Sequence, residues 1–170
     1  MNYFRRLPIL SKVVLADTGP LIAFARLDEL ALLAKIFERV YVTREVLAEC
    51  MAGKKADEVT LIELAVARWF ELVQAPPYFD LTKEMDAGEA SAIAAAVERH
   101  CGVLLDDKAG RRVAHSLGLP VIGTVGALIL CKRKNLIPLI KPRLDALVAS
   151  GYYLGPEVIA SALSACGEQY

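Results

Sequence analysis

Carboxylates stand at the ends of short apolar runs in this 170-residue chain. Asp17 closes Lys12-Val13-Val14-Leu15-Ala16, and Asp106 and Asp107 close Val103-Leu104-Leu105. Glu89 opens an alanine-rich segment, with Ile93 and Val97 at its i+4 and i+8 positions, so it heads an apolar stripe that faces inward. Glu49 comes three residues after Val46 and one before Cys50, on the flank of an apolar helix face; Glu45 lies nearly opposite that face and reads as solvated. Carboxylates gathered at one place repel one another unless a cation sits among them. Hard oxygen donors suit Mg²⁺ or Mn²⁺, which keep several waters and accept phosphate oxygens. Such a site activates water and stabilises charge on a phosphodiester. Each acid also has a plain structural reading. Asp86-Ala87-Gly88-Glu89 fits a capping box, Asp107 fits the cap of the helix after it, and Asp17 fits the cap of a helix after Pro20.

Strands must place these acids. Valine-rich Lys12–Ala16, Arg39–Val42, Trp69–Val73, Val103–Leu105 and Pro120–Ile122 read as short strands. Between and after them the pattern is helical: Leu21–Phe37 with a break near Leu27-Asp28, Arg44–Met51 capped by Thr43, Ala56 to about Ala67, and Asp86–His100 stopped by Gly102. Lys108–Leu117, Thr124–Lys134, Pro142–Ser150 and Pro156 to about Ser164 follow, while Thr18-Gly19-Pro20 reads as a turn and Gly53-Lys54-Lys55 as a loop. Strands alternating with helices imply right-handed crossovers and a parallel sheet covered on both faces. The expected class is α/β, a three-layer α/β/α sandwich with a central, mostly parallel sheet. In such sheets ligands bind beyond the carboxyl ends of the strands, the edge where Asp17, Asp106 and Asp107 stand.

Composition narrows the partners. Hydrophobic residues are 55% and charged ones 24%, which excludes a disordered chain. The 20 bases balance the 20 acids, so any pull on nucleic acid comes from local segregation. That segregation is present: Cys101–Arg143 holds eight bases against Asp106 and Asp107, whereas Arg44–Ala90 is rich in acids. Cys50, Cys101, Cys131 and Cys166 show no metal-ligand spacing and read as reduced core thiols of a cytoplasmic protein. The opening Met1–Leu10 has no apolar signal region. The uncharged stretch Val113–Cys131 is broken by His115, Gly118, Pro120 and Gly123, so it reads as soluble elements and not as a membrane span.

Four segments, in order, resemble the motifs of PIN domains: Val13–Ile22, Val42–Glu49, Gly88–Ala96 and Val103–Ala114, followed by Gly118–Gly126. The resemblance runs from about Lys12 to Gly151 and is to a prokaryotic subfamily of predicted nucleic-acid-binding proteins related to VapC-type toxins. It implies a Mg²⁺- or Mn²⁺-dependent ribonuclease, possible as the toxin of a toxin–antitoxin pair, with RNA as substrate, an antitoxin protein as partner and a homodimer as assembly. Carried over by position, Asp17, Glu49, Glu89 and Asp107 are the catalytic acids. The metal set is Asp17, Glu89 and Asp107 with Asp106 in reserve, and Thr18 and Thr124 are polar neighbours. Arg111, Arg112, Lys132, Arg133 and Lys134 are then candidates for the RNA backbone. The chain departs from the commoner toxins in its fourth motif, where Leu105-Asp106-Asp107-Lys108-Ala109-Gly110 lacks their Thr and Phe, and in carrying Glu89 where Asp is usual.

The expected organisation is an N-terminal extension at 1–11, a PIN-like domain at 12–135 and a C-terminal helical extension at 136–170 packed on it. Asp17-Thr18-Gly19 also matches an aspartic-protease signature, but that fold is all β and has no place for the Asp86–His100 helix. A haloacid-dehalogenase phosphatase needs a second Asp where Gly19 stands, and no dinucleotide or P-loop glycine motif is present. The competing function is a non-catalytic module that uses the same scaffold to bind nucleic acid or protein.

Overall fold

The computed structural model describes residues 12–52, 55–78, 80–81 and 85–169. The segment 1–11 and the loop residues Gly53 and Lys54 lie outside the described residues. The chain begins with strand β1 (Val13–Ala16), passes through helices α1 (Thr18–Arg26) and α2 (Ala31–Ile36), and returns as β2 (Arg39–Thr43). Helices α3 (Arg44–Met51) and α4 (Ala56–Arg68) lead to β3 (Glu71–Val73), and α5 (Ala87–Arg99) leads to β4 (Gly102–Leu104). Next come α6 (Lys108–Ser116), β5 (Val121–Ile122), α7 (Thr124–Arg133), α8 (Lys141–Ala149) and α9 (Pro156–Ala165).

The five strands form one parallel sheet in the order β3-β2-β1-β4-β5, with Leu15 opposite both Tyr41 and Val103. Strand β1 is central, and the order reverses on either side of it, so the switch point lies between β1 and β4. Helices cover both faces, giving the expected three-layer α/β/α sandwich. Helix α5 lies across β1, β2 and β4, which explains its small side chains: Ala90, Ala92, Ala95 and Ala96 are all but inaccessible, and their size lets the helix approach the sheet closely. A buried Thr43–Ser91 hydroxyl contact of 2.7 Å joins β2 to α5, and Thr43 also accepts the Val46 amide as the cap of α3.

Local differences from the sequence reading have physical causes. Helix α1 starts at Thr18, where a turn is expected, because Pro20 in a first helical turn gives up an amide that has no partner there anyway. Helix α5 is ended by His100, not by Gly102. His100 takes the left-handed conformation (φ 50°), and Cys101 N–H returns to Ala96 O at 3.1 Å. Gly102 opens β4 instead. The stripe headed by Glu89 stops at Ile93, since Val97 is 41% exposed. Glu45 is half-buried, because Tyr78 beyond β3 folds over it and donates a 3.1 Å hydrogen bond.

The C-terminal helices share the central core. Ile140, Leu144, Leu147, Ala162 and Leu163 belong to the same buried cluster as β1 and α7. Arg143 grips Glu29 through three hydrogen bonds of 2.5–3.1 Å, and Lys132 pairs with the buried Glu168 at 2.6 Å. No disulfide links the four cysteines, and burial raises the thiols of Cys101 and Cys131 to about 11 and about 12. Among the described residues no helix is long and apolar enough to cross a membrane.

Candidate active site

A cleft of about 460 Å³ opens at the carboxyl ends of β1 and β4. Its lining includes Asp17, Glu49, Asp86, Glu89, Asp106 and Asp107, with Thr18, Gly19, Ile22 and Ala52, and among the described residues no Lys or Arg. Parallel pairing explains the convergence. Ala16 is in register with Leu104, so the residues that leave the two strands leave them side by side, and Asp17 N–H bonds Leu104 O at 3.0 Å.

Asp17 stands at the N-cap position of α1 without a side-chain capping bond. It is only 5% exposed, and its Oδ1 is buried without a hydrogen-bond partner. Burial is the main reason its carboxyl is raised to about 8, with Glu89 and Asp86 adding to it and the amides of Thr18 and Gly19 opposing. Glu89 is raised to about 7, first by burial and then by the negative charges of Asp86, Asp107 and Glu49. A buried polar atom left without a partner is costly, so its presence at a ligand-binding edge points to something that it meets there.

The other acids are held in place. Glu49 reaches from α3, accepting the Gly88 amide at 2.7 Å on Oε1 and the Thr18 hydroxyl at 3.0 Å on Oε2, and so ties α1 to the N-terminus of α5. Gly88 leaves the space that the Glu49 carboxylate occupies, since a Cβ there would run into that carboxylate and displace it. Asp86 caps α5 through the Glu89 amide at 2.8 Å. Asp107 caps α6, taking the amides of Ala109 and Gly110 at 2.6 and 2.9 Å on Oδ2. Both structural readings of these two acids therefore hold, yet the same residues line the cleft. Asp106 accepts the Thr124 amide at 2.8 Å on Oδ1, and the hydroxyls of Thr124 and Tyr152, each at 2.5 Å, on Oδ2.

A family model described as a PIN domain matches residues 13–168. The chain belongs to the PIN domain family. A comparison with curated proteins finds no match. The PIN fold is a nuclease-type fold, and in this PIN domain six carboxylates of the described residues line the cleft at its switch point.

The candidate bases divide. Arg111 turns back on the β4–α6 connection and donates to Leu105 O at 2.9 Å, bracing the turn that carries Asp106 and Asp107. Arg112 is exposed on α6, whose N-terminus adjoins the cleft. Lys132, Arg133 and Lys134 are not brought to the cleft. They stand at the far end of α7, about 12–15 Å along its axis from Thr124. There Lys132 bonds Cys166 O and Glu168, and Lys134 bonds Ile36 O. Three contributors escaped the sequence reading: Asp86 as a cleft residue, Gly88 as the space for Glu49, and Tyr152. Asp86 was legible, since an N-cap residue and the third helical position lie on the same helix end.

Proposed function

We propose that this PIN domain is a cytoplasmic, divalent-metal-dependent endoribonuclease, the toxin of a toxin–antitoxin pair. The observation that carries the reading is the buried, unpartnered Oδ1 of Asp17 at the switch point, in a cleft lined, among the described residues, by five further carboxylates. A divalent cation fits this donor set, because it supplies the partner that Asp17 lacks and offsets the burial and the neighbouring charges that raise Glu89. Among the described residues no three carboxylates close around one point. A divalent cation there would be held by fewer than three of these side chains and would take its remaining ligands from water, as Mg²⁺ commonly does.

When bound, such an ion stabilises charge on the phosphodiester and acidifies water. The chain's own residues prepare the place for it. Asp17 and Glu89 present oxygen donors whose protons leave on binding. Asp107 and Asp86 stay fixed by their caps, and Glu49 holds the starts of α1 and α5 together. In this reading Arg112, exposed on the helix that leaves the cleft, contributes a cation toward the substrate backbone.

The non-catalytic reading has the absence of a closed three-ligand cluster on its side. Against its nucleic-acid-binding form, a lining of carboxylates without a cation repels the phosphates that such a module would have to bind. The test is cleavage of a mixed single-stranded RNA pool with Mn²⁺, Mg²⁺ or EDTA, wild type beside Asp17→Asn. Metal-dependent cleavage, lost in Asp17→Asn by at least about 100-fold, is the expected result. Cleavage that survives EDTA or the substitution overturns the proposal.

A further inference from the structure

Tyr152 belongs to the connection between α8 and α9, remote in sequence from every acid of the cleft. Its position is built by the end of α8. Gly151 takes a left-handed conformation (φ 84°), its amide bonds Val148 O, and the Tyr152 amide bonds Leu147 O, both at 3.0 Å. This turn swings Tyr152 inward while its neighbour Tyr153 stays 89% exposed. The phenol reaches the switch point: a Cβ on Gly19 would lie 3.8 Å from its hydroxyl and 4.0 Å from Asp17 Oδ2. There the hydroxyl donates to Asp106 Oδ2 at 2.5 Å, beside Thr124 Oγ1 on the same oxygen.

Three donors on one carboxylate fix both its position and its plane. Asp106 is thereby a rigid anchor for the β4–α6 turn, and the next residue, Asp107, is the one that the turn presents to the cleft. We infer that Tyr152 is a positioning residue of the metal site, acting through Asp106, so that the C-terminal segment completes the site instead of only covering the core. The inference rests on the metal-dependent reading above.

Tyr152→Phe keeps the ring and removes only the hydroxyl. Mn²⁺ binding by calorimetry, apo melting temperature and RNA cleavage are measured on wild type, Tyr152→Phe, Asp106→Asn, the double variant, Tyr153→Phe and Asp17→Asn. Outer partners of metal ligands are typically worth about tenfold or more in affinity, so Tyr152→Phe is expected to weaken Mn²⁺ binding by about tenfold. Its apo melting temperature is expected to stay within about 2 °C of wild type. Cleavage falls in parallel, and Tyr153→Phe matches wild type. On the Asp106→Asn background Tyr152→Phe adds no further loss, because the two share one interaction. Wild-type Mn²⁺ affinity in Tyr152→Phe, while Asp17→Asn loses binding, overturns this inference and leaves the metal reading intact. So does a full additional loss in the double variant, or a large drop in apo melting temperature, which would make Tyr152 a packing residue. A wild-type protein that binds no Mn²⁺ overturns both.

Discussion

Asp17 joins chemistry to stability through one proton. Its carboxyl is raised from 3.8 to about 8 in the folded chain, so between about pH 4 and pH 8 the native state keeps a proton that the unfolded chain has released. Metal-free stability therefore falls as pH rises through that window, and Glu89, raised from 4.5 to about 7, adds to the fall in the same direction. Asp17→Asn removes the main titration. At pH 8 without metal the variant is expected to be more stable than wild type by about 1–3 kcal/mol, and the two should converge toward pH 4; denaturant unfolding across that range checks it. Gly88→Ala tests the packing beside it. A methyl there displaces the Glu49 carboxylate from the Gly88 amide and the Thr18 hydroxyl, at an expected cost of about 1–2 kcal/mol in chemical denaturation for the hydrogen bonds lost.

The elements were largely legible because their signals are local. Valine-rich runs ending in polar residues gave the strands, and Thr43 and Asp86 marked helix starts that the structure confirms through the Val46 and Glu89 amides. What escaped the sequence depends on contacts between distant residues. Nothing local says that Tyr78 folds over Glu45, or that His100 accepts a left-handed conformation in place of Gly102. The buried Thr43–Ser91 contact is of the same kind, joining two elements 48 residues apart. Ser91→Ala leaves Thr43 capping α3 and is expected to cost about 1 kcal/mol. Thr43→Val loses the cap as well as the contact and leaves Ser91 without that partner, so its expected cost is about 2–3 kcal/mol. Thermal unfolding of the two variants measures the difference.

At the scale of the whole molecule, the cleft acids and the basic end of α7 lie apart. The carboxylates collect at the end of β1 and β4, while Lys132 and Lys134 hold the opposite end of α7 against Glu168 and Ile36 O. The sequence showed a basic segment but not that Lys132 and Lys134 serve the fold, because a run of charges does not reveal which helix end it occupies. Lys132→Met leaves Glu168 buried with only the Ile140 and Lys141 amides as partners. It is therefore expected to lower stability by about 2–3 kcal/mol without changing the salt dependence of RNA binding, whereas Arg112→Ala should reduce that salt slope. The central claim is that the buried carboxyl of Asp17 is kept for a cation. Mn²⁺ titration calorimetry near pH 7, in buffers of different ionisation enthalpy, tests it most directly. Binding should release about one to two protons per chain, and Asp17→Asn should lose both most of the affinity and most of the release. Mn²⁺ binding without proton release, or unchanged in Asp17→Asn, would contradict the account.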